Sequence, residues 1–317
     1  MNKIGNSSIW AEKYRPQTID DLIFPEKIKK KFKEYVKNGT LPNIGLFGSI
    51  PGSGKTSIAT ALKNDLETET LWLNGSKENN VDTFRFKVSN FAGKISTQGN
   101  FRLIIIDESD YLTSNTQALL RGDIEAFYAS ARFVFTGNYP DRLIEPLLQR
   151  LEIYNLDEIY QNNKKELAKQ ILERLTFILE NENVKYDKKD ILEIIKTYYP
   201  STREMIIFIQ KNVFDGQLVV EREQLNSGNY FKEIFKEVKN KDFLKVKTLV
   251  DNIVAPDIFY TYMWKNLENL IEEKDLAKTI ILLADYYDQN SRAKNKFIPI
   301  MAFLTRLMNE NIGIKDG

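Results

Sequence analysis

The chain has 317 residues, of which 42% are hydrophobic and 28% are charged. At about 150 residues per domain, this length predicts two domains or three small ones, each able to bury a core. The net charge of +1 excludes a protein that is basic throughout, so any surface for nucleic acid has to be local. The chain has no cysteine and no histidine, which excludes disulfides, Cys/His zinc sites and a histidine general base.

The N-terminal segment lacks the apolar stretch of a secretory signal peptide. Elsewhere, no run approaches the roughly 18 apolar residues that a membrane-spanning helix needs. We therefore expect a soluble, intracellular protein without a membrane partner.

Short apolar runs rich in branched and aromatic residues recur in the first half of the chain. They are Ile44–Phe47, Thr70–Leu73, Leu103–Ile106 and Phe133–Phe135. Helix-length segments separate these runs, a pattern typical of a buried parallel sheet in an α/β domain. We expect this domain to end near residue 155.

From Leu156 onward, helical periodicity replaces the strand-like runs, with a polar, turn-prone stretch at residues 226–229. The predicted helices are Lys164–Leu179, Lys189–Tyr199, Thr202–Val213, Tyr230–Lys239, Asp242–Asn252, Ile258–Ile271 and Leu276–Tyr287. The sequence therefore predicts three domains. They are an α/β domain (1–155), a small helical domain (156–228) and an all-α domain (229–317).

The segment Gly48–Thr56 follows the first predicted strand and precedes a helical stretch, as a phosphate-binding P-loop does. Its glycines let backbone amides turn toward phosphates, and the helix start adds its dipole. In such a loop Lys55 reaches the β- and γ-phosphates and Thr56 ligates Mg²⁺. Ser49 departs from the strict motif, and the alternative is a tight turn with an incidental lysine. The residues expected to bind ATP here are Gly52, Ser53, Gly54, Lys55, Thr56 and Ser57.

Polar residues follow two later strands and suit the same site. Asp107 and Glu108 end a buried strand, where ligands of open α/β sheets gather. We expect Asp107 to hold Mg²⁺ through water and Glu108 to orient the attacking water. Asn138 could bond the γ-phosphate or that water. The alternatives are an ordinary acidic cap for the carboxylates and a simple turn for Asn138.

The segment Trp10–Pro16 reads WAEKYRP and resembles the W-x-E-K-Y-R-P box of replication factor C small subunits. Together with the P-loop, the Asp107–Glu108 strand and Asn138 in this order, it resembles AAA+ clamp-loader ATPase subunits, including those of T4-type phages. The resemblance covers essentially the whole chain. It implies a AAA+ P-loop domain with a parallel sheet, a helical lid domain and an all-α collar domain that forms oligomers.

The resemblance also implies roles for residues outside the P-loop. Tyr14, Arg15 and Pro16 are expected near the adenine, and their alternative is a simple N-terminal anchor. Arg150 is expected to be an arginine finger that acts on the ATP of a neighbouring subunit, although only part of the family motif surrounds it. A surface salt bridge is the alternative for Arg150. Arg203 is expected to be the lid arginine that senses the γ-phosphate.

Two helices are implied to contact DNA or to transmit that contact. Gln117 and Arg121 are expected on a helix that couples DNA and a neighbouring subunit to the ATP site. Arg85, Lys87 and Lys94 are expected to track DNA phosphates without reading bases. An ordinary solvated helix face is the alternative for these three cations.

The resemblance implies a DNA-stimulated ATPase that opens a sliding clamp and loads it onto primer-template DNA during replication. Its implied cofactors are ATP and Mg²⁺, and its partners are the clamp, the DNA and other loader subunits, as a hetero-pentamer with several copies of this chain. The implied compartment is the cytoplasm, that of a bacterial host if a phage encodes the chain. Two alternatives remain, a AAA+ helicase motor or remodelling ATPase and a non-hydrolysing, clamp-binding scaffold subunit.

Overall fold

The computed structural model of the chain describes residues 8–78, 80–94, 100–220, 227–253 and 256–315. The chain divides into two compact units, the first ending at Val219 and the second beginning at Val220. Within the described ranges, no helix is both long and apolar enough to cross a membrane.

A five-stranded parallel sheet forms the centre of the first unit. Its strands lie in the order β2-β3-β4-β1-β5, and each neighbouring pair is parallel. This order brings the carboxyl ends of β1, β3 and β4 together on one edge. The strands are β1 (Ile44–Phe47), β2 (Thr70–Asn74), β3 (Arg102–Asp107), β4 (Ala131–Gly137) and β5 (Glu152–Asn155).

Alternate residues of the sheet belong to different apolar cores. On β3, Leu103 and Ile105 pack in one cluster, while Ile104 and Ile106 pack in another. Successive side chains of a strand point to opposite faces, so both faces of this sheet are covered by apolar groups. This is why the strands appear in the sequence as continuous apolar runs.

Ten of the described α-helices belong to the first unit. They are α1 (Trp10–Lys13), α2 (Glu26–Asn38), α3 (Lys55–Leu66), α4 (Val81–Ala92), α5 (Ser114–Ala126), α6 (Glu145–Leu148), α7 (Leu156–Asn162), α8 (Lys164–Asn181), α9 (Lys188–Tyr198) and α10 (Thr202–Lys211).

The second unit contains α-helices around one core of its own. Phe259 lies at its centre, with aromatic rings of Phe231, Phe235 and Phe303 within about 6 Å of it. The helices are α11 (Ser227–Lys239), α12 (Phe243–Asp251), α13 (Pro256–Leu270), α14 (Leu276–Arg292) and α15 (Phe297–Asn309).

The fold class predicted from the sequence is confirmed, and the differences are local. The sequence did not predict β5, whose only buried residue is Tyr154, because a strand at the sheet edge needs no apolar run. Helix α10 ends at Lys211, and the chain continues into the short strands β6 (Val213–Phe214) and β7 (Gln217–Leu218).

The predicted turn at 226–229 is wrong for 227–229, which begin α11, whereas Asn226 lies outside the described residues. The unpredicted helix α15 is almost continuously apolar, so it shows little helical periodicity. The two units divide after Val219, and the predicted domain boundaries at 155 and 228 both remain predictions.

Candidate active site

The loop between β1 and α3 closes tightly against the segment that begins α10. Gly52 and Gly54 have φ values of 71° and 92°, a region that side chains disfavour. A Cβ on Gly52 would lie 2.6 Å from Ser201 Oγ and 3.1 Å from Arg203 Cβ. Glycine at this position therefore permits the close approach of α10 to the loop.

Lys55 begins α3 and folds back over the loop that precedes it. Its Nζ donates to the carbonyl oxygen of Gly48 at 2.7 Å and to that of Ile50 at 3.3 Å. Burial holds the pKa of Lys55 below its usual value, although nearby carboxylates partly oppose this shift. A desolvated ammonium enclosed by carbonyl oxygens is a suitable partner for an anionic ligand that displaces them.

The register of the sheet places polar groups of β3, β4 and α3 together. Thr56 Oγ1 donates to Asp107 Oδ1 at 3.2 Å, and the Thr136 hydroxyl donates to the same oxygen. The backbone N–H of Glu108 donates to Thr136 Oγ1 at 3.3 Å. Glu108 has a φ of 56°, and its side chain is exposed beyond the end of β3. The predicted metal ligands Thr56 and Asp107 are therefore adjacent.

This group of oxygens fits Mg²⁺. A threonine hydroxyl and an aspartate carboxylate are hard oxygen ligands, and Mg²⁺ keeps several of its waters in such sites. Asp110, three residues after Asp107, is buried, and neither of its carboxylate oxygens has a hydrogen-bond partner among the described residues. Buried carboxylates require donors, and metal-bound waters are donors of the right kind.

A cleft beside the loop collects residues from the N-terminal segment, the loop and the helices that follow the sheet. Arg203 lines it, as do Glu12, Tyr160 and Arg174. All the residues predicted to bind nucleotide also line it, namely Tyr14, Arg15, Pro16, Gly52, Ser53, Gly54, Lys55, Thr56 and Ser57. The structure thus brings the ATP-binding candidates together in one place.

Tyr160 and Arg174 are among the cleft residues that were not predicted from the sequence. The Tyr160 hydroxyl of α7 donates to the carbonyl oxygen of Ser53 at 2.6 Å. Arg174 of α8 donates to the carbonyl oxygen of Tyr14, also at 2.6 Å. No motif marks either residue, because their contact with the cleft depends on how α7 and α8 pack.

Tyr14 both lines the cleft and anchors the N-terminal segment. Its ring is buried, and its hydroxyl donates to Glu182 Oε1 at 2.6 Å, where Lys13 also donates. Burial and the Glu182 carboxylate raise the pKa of Tyr14. Farther back, the backbone N–H of Trp10 donates to Gln210 Oε1 at 2.9 Å. The N-terminal segment is therefore attached to α8 and α10.

Comparison with known proteins shows the family to which this chain belongs. Residues 45–156 match the model of the ATPase family associated with various cellular activities, AAA. The sliding-clamp-loader large subunit of Escherichia phage RB69 is 30% identical over 315 residues, 95% of this chain and 96% of that protein. The chain belongs to the clamp-loader family of AAA ATPases.

Other relatives are cellular as well as viral. The sliding-clamp-loader large subunit of Enterobacteria phage T4 is 29% identical over 290 residues, 90% of this chain and 89% of that protein. A replication factor C small subunit of Sulfurisphaera tokodaii is 34% identical over 220 residues, 67% of this chain and 64% of that protein. The family is thus shared by phage and archaeal replication proteins.

A structural likeness supports the fold alone. A RuvB variant of Thermotoga maritima superposes with a TM-score of 0.54 and 18% identity, covering 80% of this chain and 91% of that chain. At that identity, the likeness carries no information about substrate.

The two remaining catalytic candidates of this clamp-loader family member, Asn138 and Arg150, lie in different places. Asn138 directly follows β4, next to the end of β1, and is half-buried. Arg150 follows α6 and does not line the cleft. Its Nε donates to Glu125 Oε1 at 2.8 Å, and its Nη1 donates to the carbonyl oxygen of Pro146. In the isolated chain, Arg150 therefore forms an ion pair on the surface.

The two coupling candidates on α5 differ in burial. Gln117 is buried, its Nε2 donates to the carbonyl oxygens of Leu112 and Arg142, and its Oε1 accepts from Ile144 N at 2.7 Å. Arg121 is exposed on the same helix. Gln117 thus links α5 to the segment that leads toward α6.

The three DNA-binding candidates lie on or just after α4, and two of them are paired. Arg85 donates to Asp82 at 3.2 Å, and Lys87 donates to Glu78. Lys94 is exposed beyond the end of the helix. Phe86 between the paired cations is 72% exposed, because it lies on the side of α4 opposite the buried Phe84 and Val88.

Proposed function

We propose that this chain is the ATP-hydrolysing subunit of a sliding-clamp loader, which opens a clamp and places it on primer-template DNA. The observation that carries the proposal is the convergence of Lys55, Thr56, Asp107 and Glu108 at one edge of the sheet. A subunit that only binds the clamp would have no need for all four groups.

The residues of this chain divide the chemistry among them. When bound, Mg²⁺ neutralises charge on the phosphates and orients them. Lys55 leaves the loop carbonyls to contact the β- and γ-phosphates, and Thr56 and Asp107 would hold the metal ion. Glu108 orients a water molecule for in-line attack and accepts its proton, and Asn138 positions the same water or the γ-phosphate. Arg203 contacts the γ-phosphate from α10.

The proposal extends to partners. Relatives over nearly the full length are named as large subunits of sliding-clamp loaders. We expect this chain to work in a hetero-pentamer with several copies of itself, assembled through the second unit, in the cytoplasm. Primer-template DNA and the clamp then stimulate hydrolysis by completing the interfaces between subunits.

Reconstitution tests this function directly. The measurement is steady-state ATP hydrolysis by the complex with and without clamp and primer-template DNA, with Lys55→Ala as the matched inactive variant. We expect stimulation when both partners are present and none with Lys55→Ala. Hydrolysis coupled to strand displacement without a clamp would favour the helicase alternative, and clamp binding without hydrolysis would favour the scaffold.

A further inference from the structure

One carboxylate in the cleft contacts two arginines that are themselves candidates for nucleotide contact. Glu12 Oε1 lies 3.1 Å from Arg15 Nη2 and 3.8 Å from Arg203 Nη2. All three side chains line the cleft beside the loop. The mechanism proposed above uses Arg203 but gives Glu12 no part.

A carboxylate is out of place where a polyphosphate is to bind. Its charge repels the phosphates, and the repulsion is stronger in a cleft than in bulk water. Carboxylate and phosphate oxygens, however, offer a guanidinium the same kind of acceptor. An arginine beside both must divide its hydrogen bonds between them.

The two partners differ in how firmly they are held. Glu12 lies on α1, which is flanked by the Trp10–Gln210 hydrogen bond on one side and the Tyr14–Glu182 hydrogen bond on the other. The Arg203 side chain is 60% exposed and begins beside Gly52 of the loop. The segment that carries Glu12 is therefore held at both ends, whereas the exposed Arg203 side chain is free to change rotamer.

We propose that Glu12 competes with the γ-phosphate of ATP for the Arg203 guanidinium. Until ATP binds, Glu12 holds the Arg203 side chain away from the loop. Arg15 stays with Glu12 and neutralises it after Arg203 has left. Glu12 is thus a positioning residue that sets how strongly the chain prefers ATP to ADP. The inference rests on the proposed ATP site.

Glu12→Gln tests it, because the amide keeps the size of the side chain and removes its charge. We measure dissociation constants for a non-hydrolysable ATP analogue and for ADP with the complete chain. The expected result is about two- to fivefold tighter binding of the ATP analogue, the range given by an exposed ion pair. ADP, which lacks the γ-phosphate, should gain less.

A double-mutant cycle separates competition from a structural effect. In an Arg203→Ala background, Glu12→Gln should give no selective gain for the ATP analogue. The matched control is Glu173→Gln, which removes an exposed, ion-paired carboxylate from α8 outside the cleft and should leave both constants unchanged.

Three results would overturn the proposal: weaker binding of the ATP analogue by Glu12→Gln, an equal gain for ADP, or an undiminished gain without Arg203. Thermal unfolding of each variant shows whether the chain remains folded. Failure of the wild-type chain to bind either nucleotide would instead refute the proposed function itself.

Discussion

Two regions of the first unit differ in whether their charged side chains already have partners of opposite charge. At the carboxyl edge of the sheet, Thr56, Asp107 and Thr136 share hydrogen bonds, and the buried oxygens of Asp110 have no hydrogen-bond partner among the described residues. The oxygens at this edge are hydrogen-bond acceptors that the waters of a hydrated cation would satisfy. The region can therefore bind a ligand from solution.

On the side formed by α4 and α5, candidate cations already have acidic partners. Arg85 is paired with Asp82, and Arg150 with Glu125 of α5. If these cations bind as proposed, a DNA phosphate or a neighbouring nucleotide must first displace the carboxylates. Under the proposed function, the first region therefore binds a ligand from solution, whereas the second exchanges its carboxylates for a macromolecular partner.

The sharpest way to break this comparison is Arg150→Ala. If Arg150 leaves Glu125 to neutralise charge on a neighbouring ATP, its loss should lower hydrolysis by the complex about 10³-fold. Nucleotide binding by each subunit should persist, because the cleft is intact. Steady-state hydrolysis and nucleotide titration of the same complex make both measurements.

Mixing provides the control for Arg150. Complexes that contain both Arg150→Ala and Lys55→Ala subunits should include interfaces with one intact lysine and one intact arginine. Activity above that of either variant alone supports action between subunits. Complexes of correct size without such activity would leave Arg150 as a surface ion pair.

Glu108→Gln tests the first region, at the carboxyl edge of the sheet. The glutamine cannot accept a proton, so hydrolysis should fall by about 10²-fold or more while ATP binding is retained. Lys55→Ala should instead weaken nucleotide binding. Rapid-quench measurement of a single turnover distinguishes the two, and normal turnover in Glu108→Gln would remove the residue from the mechanism.

Asp123→Asn tests whether ionisation of the buried Asp123 carboxyl on α5 lowers the stability of the chain. Burial raises the pKa of Asp123 from 3.8 to about 6, and Arg85 opposes this. The folded state therefore binds more protons than the unfolded state between about pH 4 and 6, so stability falls as pH rises through that window. At pH 7.5, Asp123→Asn should be more stable by about 1–3 kcal/mol.

Denaturant unfolding at several pH values checks the behaviour of Asp123. The gain should vanish near pH 4, where the wild-type carboxyl is protonated in both states. A gain that is equal at pH 4 and pH 7.5 would mean that packing, and not ionisation, explains the substitution.

The smallest effect is expected from Arg85→Ala combined with Lys87→Ala. If both cations exchange their carboxylates for phosphates, DNA binding should weaken equally for all sequences, and the salt slope should fall by about 1 per contact. Because Arg85 also lowers the pKa of Asp123, the comparison is made in the Asp123→Asn background. Unchanged affinity and slope would return α4 to the solvated-face alternative.

The sequence by itself determined four of the five strands of the sheet, and the loop. Strands β1, β3 and β4 are buried apolar runs, β2 is a largely half-buried one, and the glycines before Lys55 impose their backbone conformation locally. The carboxylates at the end of β3 and the asparagine after β4 then meet at one edge because parallel strands end together. Short-range patterns were sufficient for all of these.

Only the tertiary structure decided what surrounds that edge. Arg174 meets Tyr14 across 160 positions, and the packing of α8 and α10 creates this contact and the approach of Arg203 to Glu12. The pairing of Arg150 with Glu125 likewise depends on the placement of α5. Side chains so far apart along the chain share no local pattern. Their partners are set by the burial of apolar helix faces, which leaves no signal in the charged residues themselves.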